Sequence, residues 1–99
     1  MSSPLPVAAS VVADAGAAFP VCFSVHARAE PGVMPRVVEL FAKRGLVPHK
    51  WHSTAAGSTL TIDVQMNGLG RDLADYIARC MRQIVGVEAV LTSDIRPSH

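Results

Sequence analysis

The sequence predicts an α+β domain with the element order β-α-β-β-α-β, and three observations carry that prediction. From Val21 to Ala29 apolar and polar residues alternate with the period of a strand, stop at Pro31-Gly32, and give way to apolar residues at helical spacing. Thr59 to Met66 alternates again, with Leu60, Ile62, Val64 and Met66 on one face and Thr59, Thr61, Asp63 and Gln65 on the other. Leu73, Ile77, Cys80 and Ile84 then mark the stripe of a second helix that ends near Val85-Gly86.

Each element follows from local chemistry. In the first strand Val21, Phe23, Val25 and Ala27 share one face, and Cys22, Ser24, His26 and Arg28 share the other. The first helix is expected from Val33 to Arg44, because Val33, Val37, Leu40 and Phe41 recur at helical spacing while Arg36, Glu39 and Lys43 fall outside that stripe. Pro35 is compatible only with its first turn. Arg44 and Gly45 close the helix with a last-turn cation and a residue free to adopt a left-handed conformation. A second strand is expected over Leu46 to Ser53. Pro48 inside it implies a sheet edge, where a missing donor is harmless. Ala55-Ala56-Gly57 reads as the turn into the third strand, Asn67-Gly68-Leu69-Gly70 as the break after it, and Val87 to Thr92 as the last strand.

Two crossovers and one hairpin in this order fold as a ferredoxin-like sandwich, an antiparallel sheet in order 4-1-3-2 with two helices on one face. Residues 1–20, rich in Ala, Ser, Val and Pro, read as a flexible N-terminal arm; residues 21–93 form the domain, and residues 94–99 a polar C-terminal tail. Strands one and three are central. Ser24, His26 and Arg28 would then face Thr61, Asp63 and Gln65 on the uncovered side of the sheet, with His26 and Asp63 expected as a cross-strand polar pair.

Composition narrows the function. The chain has 99 residues, 49% of them apolar, and a mean hydropathy of +0.30, so some surface is expected to face a partner, a second copy being the simplest. Nine basic and eight acidic residues give a net charge of +1, which provides no electrostatic footprint for nucleic acid or an anionic membrane. The first twenty residues contain no Lys or Arg, and their apolar runs are broken, which fits neither a signal peptide nor a membrane span. A cytoplasmic protein is expected, with Cys22 and Cys80 as reduced thiols.

No constellation of catalytic or cofactor-binding type emerges. His49 and His52 are three apart on an expected strand and would point to opposite faces, so with His26 they make no metal site. The chain lacks a Cys-x-x-Cys loop, a Gly-x-Ser-x-Gly elbow and an aromatic pair on the central strands for stacking bases. An enzyme of this fold would have to work through His26, Arg28 or Asp63, and no cofactor is implied. Trp51 fits either an exposed interface anchor or inward packing against the first helix.

The stretch H-A-R-A-E-P-G-V-M-P-R-V-V-E-L-F-A-K-R-G, from His26 to Gly45, resembles the ACT domain, the amino-acid-sensing module of metabolic enzymes. The likeness extends over about Val21 to Ser93 in element order. Within that family the stretch is similar to the regulatory small subunits of acetolactate synthase. The resemblance implies a non-catalytic homodimer that binds a branched-chain amino acid at its interface and regulates a large catalytic subunit. It places the effector against Ala29, Glu30, Pro31, Gly32 and Val33, with Gly32 and Val33 offering N–H groups to its carboxylate. Ala29 stands where many effector-responsive members carry an Asn. Pro31-Gly32 fits a plain tight turn into a helix equally well, and the alternative to the regulatory reading is a free-standing dimeric interaction module with no small-molecule ligand.

Overall fold

The computed structural model describes residues 19–94. In chain order the elements are β1 (Phe19–Arg28), α1 (Val33–Ala42), β2 (Lys50–Ala56), β3 (Thr59–Leu69), α2 (Arg71–Arg82) and β4 (Val87–Asp94). The strands form one antiparallel sheet in order β2-β3-β1-β4, the ferredoxin-like arrangement expected from the pattern, with β1 and β3 central.

The alternation of β1 and β3 builds the core directly. Val21, Phe23, Val25 and Ala27 lie buried beside Leu60, Ile62, Val64 and Met66, and the same cluster takes in Val33, Val37 and Phe41 of α1 and Ala74, Ile77, Ala78 and Met81 of α2. Both helices therefore cover one face. Phe23 and Phe41 meet edge to face at the centre, ring centroids 6.1 Å apart and planes inclined at 61°. Trp51 is paired opposite Val64 and packs half-buried against the core, which decides between its two readings in favour of inward packing.

The C-terminus of α1 is closed as its sequence implies. Leu46 N–H donates to Phe41 O at 2.9 Å and Gly45 N–H to Ala42 O at 3.0 Å, with Gly45 at φ +70°, the bond pattern of a Schellman motif. The regular helix stops at Ala42, short of the Arg44 expected, because the chain tightens through this motif.

Other boundaries also differ. β1 starts at Phe19, inside the stretch read as an arm; residues 1–18 of that arm and 95–99 of the tail lie outside the described residues. β2 runs over Lys50–Ala56, not Leu46 to Ser53, since Pro48 has no N–H to pair and the first bond to β3 is His49 N–H to Gln65 O at 2.8 Å. Ala55 and Ala56, read as turn, are paired with Leu60 and Thr59, leaving Gly57-Ser58 as the turn with Gly57 at φ +63°. β3 passes through Asn67 and Gly68 because a bulge absorbs them: Phe19 pairs with Leu69 and Val21 with Met66, and Gly68 sits at φ +80°. In α2 the buried stripe is Ala74, Ile77, Ala78 and Met81, while Leu73, Cys80 and Ile84 lie half-buried at its margins. The stripe thus alternates the small Ala74 and Ala78 with the fully buried Ile77 and Met81. No helix among the described residues is long and apolar enough to cross a membrane.

Candidate functional site

The turn from β1 into α1 is fixed from two sides by backbone hydrogen bonds. Arg28 N–H donates to Gly86 O at 2.9 Å, tying the turn to the loop before β4, and Ala29 N–H donates to Ser58 O at 2.9 Å, tying it to the β2–β3 hairpin. Within the turn Glu30 N–H donates to Arg28 O at 2.8 Å and Val33 N–H to Glu30 O at 3.2 Å. The Val33 donor that the family resemblance assigns to a ligand is thus engaged inside the turn.

Gly32 caps α1 with φ −82° and ψ −10°, a conformation open to any L residue. What glycine provides there is room for the Arg36 side chain, which a larger residue would displace. The Arg36 guanidinium lies where a Cβ on Gly32 would project, and Arg36 Nη1 donates to Gly32 O at 3.2 Å. Gly86 is a different case, because its φ of +100° is itself unfavourable for other residues and its backbone passes close beneath Glu30 and Val33.

A hollow of about 600 Å³ opens over this turn, lined by Glu30, Pro31, Gly32, Val33, Arg36 and Val85, and its walls are mostly apolar. Four of the five residues expected at an effector site, Glu30, Pro31, Gly32 and Val33, come together here. Ala29 is exposed beside the hollow and not in its wall. Arg36 and Val85 escaped sequence reasoning. Arg36 carries a usable signal, since it lies one helical turn beyond Gly32 on the same side of α1. Val85 carries none locally: it is 74% exposed on the loop between α2 and β4, and only the pairing of β4 with β1 brings it to the turn.

The two charged residues of the hollow differ in state. Glu30 Oε2 pairs with Arg28 Nε at 2.9 Å, and this bond, reinforced by the Glu30 charge, raises the Arg28 pKa. Arg36 has no carboxylate partner among the described residues. A second depression, larger at about 800 Å³ but more open, shares Gly32 and Arg36 with the hollow and continues along the exposed side of α1 past Pro35, Val38, Glu39 and Ala42.

The open face of the sheet has a different register from the one expected. Ser24 pairs with Asp63 and His26 with Thr61, so His26 and Asp63 are not opposite one another. The physical cause is the β1–β3 register, which sets Val25 opposite Ile62 on the core face and shifts the intervening polar residues accordingly. Ser24 Oγ donates to Asp63 Oδ1 at 2.8 Å and lies 3.4 Å from His26 Nε2. A serine whose proton is held by a carboxylate is not activated by the histidine as a nucleophile. Beside it, burial and then the Asp63 charge push the Cys22 thiol pKa up, away from reactivity. His49 precedes β2 and is exposed, like His52, and no three His, Cys, Asp or Glu side chains among the described residues are grouped to hold a metal ion.

No curated protein matches the chain in sequence. Among solved structures, the ACT domain from GTP pyrophosphokinase of Chlorobium tepidum superposes with a TM-score of 0.69 at 13% identity, over 77% of this chain and 99% of that one. An uncharacterized protein from Thermotoga maritima gives 0.65 at 14% identity, over 79% and 98%. The C-terminal domain of the MgtC protein from Mycobacterium tuberculosis gives 0.63 at 18% identity, over 82% and 90%. At such identities the likeness is one of fold. Residues 14–99, however, match the family described as ACT-like domain in sequence, and by that match, over a sheet and helix layer of the same design, the chain belongs to the ACT-like domain family.

Proposed function

We propose that this chain is a non-catalytic regulatory protein that holds a small branched-chain amino acid at the β1–α1 turn, pairs with a second copy, and acts on a metabolic enzyme. Acetolactate synthase is the enzyme whose small subunits the turn sequence resembles. One observation carries the reading: the residues of that resemblance, Glu30, Pro31, Gly32 and Val33, line a single hollow of about 600 Å³. That volume lies within the range of roughly 300–1,000 Å³ common to small-molecule sites. Pro31, Val33 and Val85 provide apolar wall for an aliphatic side chain. In Chlorobium tepidum an ACT domain belongs to a GTP pyrophosphokinase, an arrangement in keeping with a regulatory module serving an enzyme.

The effector acts by preference. An amino acid that binds one dimer geometry more tightly shifts the population toward it, and a catalytic partner contacting that dimer reads the shift by linkage. Purification of the tagged chain from its own host, with and without millimolar valine, leucine and isoleucine, tests this. Recovery of a thiamine-dependent synthase that changes with the amino acid is the expected result. Recovery of no enzyme under any of these conditions contradicts it.

A free-standing dimeric module without ligand is the second reading. It is favoured by Ala29, which offers no polar side chain, and by the Val33 N–H, which is already bonded to Glu30 O. Sedimentation then finds a dimer whose stability is indifferent to amino acids.

A further inference from the structure

We infer that Arg36, outside the turn itself, reads the carboxylate of the bound ligand, with Val33 and Val85 receiving its apolar end. This rests on the reading that the hollow holds an amino acid, and it adds which side chain selects it.

Three observations lead there. Glu30 and Arg36 are the charged residues in the wall, and Glu30 is already matched by Arg28 at 2.9 Å, whereas Arg36 makes no ion pair among the described residues, although Glu30 and, in the adjoining depression, Glu39 share its surroundings. An unmatched guanidinium beside apolar wall favours an anionic group joined to an apolar one. Second, Arg36 is held in place. Its Nη1 donates to Gly32 O at 3.2 Å, and a guanidinium has five N–H donors, so the remaining ones stay available as the fork that suits a carboxylate. Third, Gly32 has an ordinary backbone conformation, and the space its missing side chain leaves is filled by the Arg36 guanidinium. The absence of a side chain at position 32 thus leaves room for the cation against the turn, in the wall of the hollow.

The apolar end follows from position. Val85 is 74% exposed, high for a valine, and shares the wall of the hollow with Val33, the buried first residue of α1. The ligand so described is a small aliphatic carboxylate whose acid group cannot be neutralised without loss.

Calorimetry on the full chain with valine and with valinamide, in which a neutral amide replaces the carboxylate while the α-ammonium group is kept, separates the possibilities. Valine is expected to bind about ten- to a hundredfold more tightly than valinamide, the difference a charge-assisted bond commands over a neutral one. Arg36→Met, which retains the apolar stem, should reduce that ratio to near one, and Arg36→Lys should keep part of it. A ratio unchanged in Arg36→Met overturns the role given to Arg36 while leaving amino-acid binding at the turn standing. Equal binding of valine and valinamide by the natural chain does the same. Failure of valine, leucine and isoleucine to bind at all overturns both this inference and the reading beneath it.

Discussion

Gly86 is the point at which the turn of the site and the loop before β4 depend on each other, and Gly86→Ala measures that dependence. Its φ of +100° costs an L residue about 1–2 kcal/mol. A Cβ there would stand 3.0 Å from Glu30 Oε1 and 3.0 Å from Val33 Cγ2. The exposed Glu30 carboxylate can swing aside, but Val33 is fixed in the core, so crowding adds about 1–2 kcal/mol, the lower part of the overpacking range. The expected loss is about 2–4 kcal/mol. For a domain of this size that lowers Tm by at least about 8 °C. Gly57→Ala is the control, because Gly57 has φ +63° and a Cβ added there would meet nothing within 4 Å, so only the backbone cost of about 1 kcal/mol applies. Urea unfolding of the two variants, followed by circular dichroism, gives the comparison. Equal losses would refute the claim that the two loops are in close contact at Gly86.

Three further outcomes follow from the structure. Phe23→Ala removes a fully buried ring from its contact with Phe41 and should cost about 3–5 kcal/mol in the same unfolding assay. Gly32→Val should change stability by less than about 1 kcal/mol, since the backbone at Gly32 is unstrained and the Arg36 side chain can move, yet it should abolish any response to amino acids in calorimetry. The Cys22 pKa is raised in the folded chain by burial and then by Asp63, so the folded state holds that proton more tightly than the unfolded one. Its stabilising contribution is complete below the unfolded thiol value of about 8.5 and is lost as pH rises above it. The urea midpoint should therefore fall more steeply above that pH in the natural chain than in Cys22→Ser; parallel curves would contradict the assignment.

Much of the fold is legible from residue period alone. β1 from Val21 to Arg28 and β3 from Thr59 to Met66 alternate regularly, and α1 carries a wide apolar stripe closed by Gly45, so their type and order are set locally. β2 is harder to place. Pro48 draws the expected strand too early, while Ala55 and Ala56, weak strand formers, extend it because β3 is there to pair with them. Asn67-Gly68 reads as an end of strand, whereas it is a bulge whose cost the pairing of Phe19 with Leu69 offsets. In α2 the stripe drawn through Leu73, Ile77, Cys80 and Ile84 meets the core only at Ile77, because the buried face is turned toward Ala74, Ala78 and Met81. The cross-strand match of Ser24 with Asp63 depends on register, which periodicity does not reveal. In the site, the backbone turn is readable, Arg36 is within reach through helical spacing, and Val85 arrives only through tertiary pairing.

The measurement that bears most directly on amino-acid binding at the turn is a titration of the isotope-labelled full chain with valine, leucine and isoleucine, followed by amide NMR shifts. The account predicts saturable shifts concentrated at Glu30 to Arg36 and at Val85 to Val87, the two segments that meet at the hollow. An unchanged spectrum, or shifts confined to Ser24, His26 and Asp63 on the open face of the sheet, would contradict it.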